Sequence, residues 1–466
     1  GGQEPVSSCA TWQASRPRTG DWSRWRCVAA DAKLNEALRY QARTGNPAVF
    51  SGASMTRNVV LFSASFAFIA LLLFLRAPEL YLAPGLVAED ATILFNHYYN
   101  ATDSRVVVWQ QHAGYVSLIP NIVAWVLSPA PGDLAPTLYA VVALAISALA
   151  LALLPFGRLF TSRIYGLAAA GTLALAPPYG AIYQANLIYS QWMILLAASL
   201  AIFWMLHEPS LKTHSFLAIF SVPLILTHPY SILLIMPLAF GAWKSRETMR
   251  KIIYIALMMV TILYATTHAR ASATTDSTQV VGALMMIVFD LLTLGFANSA
   301  PSASFIMASA LIAASVVIHL KLAKQRPTSV GCRWDVYDGF LIYLMIACAL
   351  LYLPSPRLGK YGGMIPDRYL MASRFFCLVL ILRKVESYFL AVMSARAFAA
   401  TAIAFSFTIR FVTPPKTEAL VATPSRLDAM RRIRDAEAQV RITPNREIPV
   451  RENAEHWAIN VVVRGD

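Results

Sequence analysis

The chain has 466 residues, of which 57% are hydrophobic and 14% charged, and its mean hydropathy is +0.54. That balance excludes a soluble globular domain of this size, which would need far more polar surface. The net charge of +14 does not point to nucleic acid, because Lys and Arg gather in the short loops between apolar runs, as cytoplasmic loops require.

Residues 1–54 are polar and rich in Ser, Arg and Trp, without the n-region, h-region and cleavage site of a signal peptide. Met55-Thr56-Arg57 then leads directly into an apolar run, so residues 1–54 are expected to be a disordered extension with no part in function. Residues 55–412 form the membrane domain. Its apolar runs predict about eleven helices, each near the length that crosses a hydrocarbon core of roughly 30 Å. They lie near 58–75, 134–154, 163–177, 187–206, 214–226, 230–243, 251–268, 303–320, 337–353, 369–383 and 388–411. Backbone groups in lipid must be bonded within their own segment, and the strand alternation of a barrel is lacking, so the fold class is an all-α polytopic transmembrane bundle. The run Val280 to Phe296, which carries Asp290, is expected to lie at the outer interface or re-enter, because a crossing there would put the basic loop Lys321 to Arg333 outside. Spans 214–226 and 230–243 form a short hairpin around Thr227-His228-Pro229.

Cation placement sets the orientation. Eight Lys and Arg precede the first span, whereas loop 77–133 holds only Arg105 against five acidic residues. The N-terminus is therefore expected in the cytoplasm and that loop outside. Arg158/Arg163, Lys244 to Lys251, Lys321 to Arg333 and Arg383/Lys384 all fit cytoplasmic loops. The tail, residues 413–466, is then an extracytoplasmic unit, with a short helix expected from Ser425 to Val440 and a small strand pair from Glu447 to Val463. The five cysteines show no CxxC or His/Cys spacing, so neither a disulfide scaffold nor zinc is indicated. No P-loop or dinucleotide fingerprint is present.

The chemistry-bearing residues concentrate at the predicted outer face. Glu89 and Asp90 sit where a helix begins, which serves either as a capping acid or as a general base for an acceptor hydroxyl. The pair also offers ligands to a divalent cation, with no third ligand evident. His112 and Tyr115 precede a short apolar run that Pro120 interrupts, expected to lie along the outer interface with Trp109 and Trp125 in an aromatic belt. Asn186, Gln191 and Trp192 stand at the outer start of a span, lining a cavity or bonding a neighbouring helix. The loop Leu353 to Tyr369 carries Arg357, Lys360 and Arg368 on the side where cations are disfavoured. A bound anion accounts for them, as does pairing with Asp367 or snorkelling.

The motifs AEDATILFNHYYN, HAGYVSLIP, NLIYSQW, LTHPY and DRYLMASRF, in this order, resemble a group of bacterial polytopic proteins in the GT-C superfamily of membrane glycosyltransferases. The similarity runs from Met55 to the tail and takes in Trp457-Ala458-Ile459. The resemblance implies inverting transfer of a sugar from a polyprenyl-phosphate donor to a glycan, lipid or protein acceptor, on the outer face of the inner membrane. It implies Asp90, or else Glu89, as the base, and Arg368 with Tyr369 near the donor phosphate. It also makes His228 of LTHPY a substrate-site residue. Ser117 and Asn121 stand where relatives show a histidine and a later basic residue. The rival readings are a transporter or flippase of a lipid-linked or polar substrate, and a membrane protein that binds lipid-linked glycan without catalysis. A transporter would place ionisable residues within its spans and show internal repeats. These spans read as almost free of charge, and no repeat is seen.

Overall fold

A computed structural model describes residues 52–82, 84, 90–95, 97–98, 109, 111–112, 115–131, 134–157, 159–160, 162–175, 185–268, 283–285, 287–288, 291, 335–351, 367–389, 447–452 and 457–462. The chain divides into two units, Gly1–Leu61 and Phe62–Asp466. The described residues are mostly helical. In chain order they form α1 (Gly52–Arg76), the short α2 (Glu79–Leu82), a π-helical turn (Asp90–Phe95), strands β1 (Gln111–His112) and β2 (Tyr115–Val116), α3 (Leu118–Leu127), α4 (Ala135–Ala152) and α5 (Arg163–Leu175). Then come α6 (Gln191–Met205), α7 (Leu211–Ile225), a 3-10 turn (Pro229–Leu234), α8 (Ile235–Lys244), α9 (Thr248–His268), α10 (Val336–Leu350), α11 (Asp367–Phe389), and strands β3 (Glu447–Glu452) and β4 (Trp457–Val462).

Among the described residues, three stretches are long and apolar enough to cross a membrane: Val59–Arg76, Ala135–Ala152 and Thr248–Thr266. In α9 both faces are apolar. Tyr254, Leu257, Thr261 and Tyr264 are buried, while Ile252, Ile255, Met259 and Leu263 are exposed on the opposite side. An apolar stripe turned away from the protein core is what a lipid-facing helix presents. At the centre lies α6, in which every residue except Trp204 is buried. It packs against α4, α7, α8 and α11, so its all-round apolar surface is covered by protein. Helix α5 passes so close to the turn ending α4 that a Cβ on Gly166 would stand 2.6 Å from Pro155 Cα.

Several boundaries differ from the sequence expectation. The span expected at 187–206 starts at Gln191, because Leu187 to Ser190 form a turn before the helix. The span at 163–177 is a helix of 13 residues, Arg163–Leu175. The short span at 230–243 is a 3-10 turn followed by α8. Pro237 cannot give an N–H to the carbonyl four residues back, so the backbone there tightens into 3-10 bonding. Pro120 lies in the first turn of α3, where no N–H is needed, and does not interrupt it. Arg383 and Lys384 are not in a loop. Helix α11 continues past them to Phe389, because their charges are met by Asp335 and Asp338 at the start of α10. The spans at 303–320 and most of 388–411, the helix at 425–440 and the extension 1–51 lie outside the described residues. Of the run 280–296, Ala283 and Ile287 pack on Ala349 of α10 and Leu370 of α11. The expected strand pair of the tail is present: β3 and β4 are antiparallel, with Glu447 opposite Val462 and Glu452 opposite Trp457.

Polar contacts between helices sort to two ends of the bundle. At one end Arg383 donates from Nε to Leu159 O (2.7 Å) and from Nη1 to Asp338 Oδ1 (2.8 Å), Arg250 Nη1 donates to Glu208 O (3.0 Å), and His207 stacks on Tyr337 at 4.4 Å. At the other end Tyr264 donates to Val116 O (2.7 Å) and Ile119 N–H to Thr227 Oγ1 (3.2 Å). Helices α6 through α9 alternate between these ends. Because Arg383 lies late in α11, the Asp367 start of that helix falls at the opposite end, with Gln191 and Thr227.

Candidate functional site

The Asp90 end draws together residues from four segments remote in sequence. Asp90 opens the π-helical turn and is 2% exposed. Its Oδ2 accepts the Leu187 N–H and its Oδ1 the Ile188 N–H, both at 2.7 Å. Asn186 Oδ1 accepts the Tyr189 N–H (3.0 Å), and Ser190 Oγ donates to Leu187 O (2.6 Å). The orphan amides ahead of α6 are thus met by one side chain from its own turn and one from the first loop.

Gln191 opens α6 and is buried. Its Nε2 donates to the Tyr115 hydroxyl (3.1 Å), and its Oε1 accepts from Ser117 Oγ at a long 3.5 Å. The short β1–β2 ladder, with His112 opposite Tyr115, delivers Tyr115 to this position. One residue on, Trp192 meets His228 (ring centroids 4.2 Å) and Tyr230 (5.4 Å). His228 caps the 3-10 turn by accepting the Tyr230 N–H on Nδ1 (3.0 Å), which leaves the ring proton on Nε2. Burial pushes the His228 imidazole down to about 3, so the ring is neutral.

That burial has a measurable consequence. Between the usual value of 6.5 and about 3, the unfolded chain binds a proton that the folded ring refuses. Stability conferred by His228 is therefore complete above that window and is lost as pH falls through it. His228→Asn keeps an oxygen for the Tyr230 N–H but cannot titrate. Thermal unfolding in detergent should show a shallower acid limb for the variant. Equal slopes would mean that the folded ring takes up its proton in place.

Of the residues singled out by sequence, the fold brings Asp90, Tyr115, Asn186, Gln191, Trp192 and His228 into one cluster. Arg368 and Tyr369 lie in the first turn of α11 at the same end, with side chains outside the described residues. So is the side chain of His112, while Glu89, Arg357 and Lys360 lie outside them altogether. Among the described residues no group of three His, Cys, Asp or Glu side chains is placed to hold a metal ion.

Sequence reasoning missed Tyr264 and carried Thr227 and Tyr230 only within the LTHPY motif, without the part that contacts between distant helices give them. It likewise gave no part to Arg374 of the DRYLMASRF motif, which is 1% exposed inside α11, or to Glu386, buried in the same helix. An arginine two turns into an apolar run was the available signal for Arg374. No protein-family model matches the chain, and no curated protein matches it in sequence.

Proposed function

We propose that this chain is a GT-C-like membrane glycosyltransferase that moves a sugar from a polyprenyl-phosphate donor to a glycan, lipid or protein acceptor. The reading places about eleven spans in the bacterial inner membrane. The Arg383 end, with Arg163, Lys244, Arg246, Arg250 and Lys251, is cytoplasmic by the positive-inside rule. The Asp90 end and the tail are then extracytoplasmic. The observation that carries the reading is the convergence at one end of four of the sequence motifs that define the resemblance. They enter through Asp90, Tyr115 to Ser117, Asn186 to Trp192 and Thr227 to Tyr230. Strand β4, which holds Trp457, runs beside the Asp90 turn, so the tail joins the same end.

The reaction asks for little more. A carboxylate of the Glu89–Asp90 pair takes the acceptor hydroxyl proton, the acceptor oxygen bonds to the anomeric carbon, and the carbon–oxygen bond to the lipid phosphate breaks with its electron pair leaving on phosphate. Arg368 meets that charge with its fork of donors, with Arg357 and Lys360 on the same loop. The test is incubation of purified protein in nanodiscs with a panel of polyprenyl-phosphate sugars and membrane acceptors. Release of lipid phosphate with sugar transfer, weakened in donor binding by Arg368→Ala, is the expected result. Failure across the panel would remove the enzyme reading.

One observation favours a second reading, a transporter or flippase. Arg374 is a buried charge within α11, inside the span 369–383 that the sequence promised as almost uncharged. Movement of a labelled lipid-linked sugar across proteoliposomes, without transfer, would establish it.

A further inference from the structure

We infer that Asp90 is a positioning residue, a clasp that locks the turn ahead of α6 to the first outer loop. Its kinetic consequence rests on the glycosyltransferase reading; the clasp itself does not. Both oxygens of Asp90 are engaged by backbone N–H groups 97 and 98 residues away, at 2.7 Å each. Two successive amides aimed at the two oxygens of one carboxylate orient it fully, and bonds of this charge-assisted kind are about twice as strong as neutral ones. The residue is 2% exposed, and Leu94 and Phe95 of its own turn belong to the apolar core.

What the clasp holds is the polar line beyond it. The turn from Leu187 to Ser190 sets where α6 begins, and α6 begins with Gln191, whose amide group holds Tyr115 and Ser117. Trp192, next in line, sets the His228 and Tyr230 rings. Releasing Asp90 therefore loosens three of the converging segments at once. A base, by contrast, has to reach an acceptor proton at about 3 Å with a lone pair turned to it.

The variants separate the two roles. Asp90→Asn keeps the shape but turns an amide N–H₂ toward one backbone N–H. Asp90→Glu keeps the charge but is one methylene too long to hold both amides. Hydrogen exchange of the 186–191 peptide in nanodiscs reads the clasp without any activity. The expected result is exchange about tenfold to a hundredfold faster in both variants, with the peptide unchanged in Glu89→Gln. Wild-type protection in Asp90→Asn would overturn the clasp.

Where transfer is measurable, Asp90→Asn should lower kcat and raise KM while the acid limb of the pH–rate profile persists. A limb lost in Asp90→Asn would overturn the positioning role and make Asp90 the base. Absence of transfer in the wild-type chain would sink the glycosyltransferase reading and leave the exchange result standing on its own.

Discussion

Arg383→Ala should cost about 3–5 kcal/mol of folding stability, as the breaking of a buried ion pair does. The guanidinium joins three pieces of chain: it bonds Asp338 and Leu159 O, and it pairs with Asp335. Asp338 is the decisive partner, because its side chain is 1% exposed, against 45% for Asp335. Without Arg383, Asp338 keeps Lys384 but stays in a site built for two cations. The exposed Asp335 contributes little by itself, since solvent screens it.

The loss should also depend on pH. Burial pushes the Asp335 carboxyl up, but Arg383 and the amides of Asp338 and Tyr337 outweigh it and hold the group below its usual range. Its contribution is therefore present above the ordinary carboxylate value of about 4 and disappears as pH falls through the lower folded value. Unfolding in detergent, followed from neutral pH to about pH 3, should show the gap between wild type and Arg383→Ala narrowing by the small Asp335 share and not closing. A gap that stays constant would mean that the Asp335 pair contributes nothing and that Asp338 and Leu159 O carry the loss.

Arg374→Ala should also be damaging, by roughly 2–5 kcal/mol, as the loss of a large, fully buried side chain is. The side chain is fully buried, as are its chain neighbours Ser373 and Phe375, in the half of α11 nearer the Asp90 end. A guanidinium cannot shed its proton, so the charge persists inside the bundle. Arg374→Lys should recover only part of the loss, since an ammonium lacks the planar fork. The thermal midpoint of the solubilised protein, set beside a transport assay, separates structure from function. A wild-type midpoint together with lost substrate movement would reassign Arg374 to a translocation path.

The fold was legible where one residue type repeats over many positions. The long runs of α1, α4 and α9 are apolar on every face, and each is a helix within a residue or a few of its expected place. The antiparallel tail pair was legible from alternation alone. Boundaries set by single contacts were not. Nothing in the run from Leu187 reveals that Asp90, some hundred residues earlier, captures two amides and holds the first four residues as a turn. Arg383 and Lys384 look like a loop because charge ends a span. They sit within a helix because two carboxylates at the start of another helix neutralise them.

The same division runs through the candidate site. Asp90, Tyr115, Asn186, Gln191, Trp192 and His228 could each be picked from sequence as polar or aromatic residues at the ends of apolar runs. The contacts of Thr227, Tyr230 and Tyr264 could not be read there, because they depend on which helices become neighbours.

Hydropathy is a property summed over many residues and does not depend on the partner chosen. It was therefore enough to anticipate that the described residues are mostly helical and include helices apolar enough for lipid. Hydrogen bonds and ion pairs need two groups within about 3 Å, and only the packed bundle decides which two. That is how an acidic residue with the sequence signature of a base comes to hold, in the folded chain, two amides of the turn ahead of the central helix.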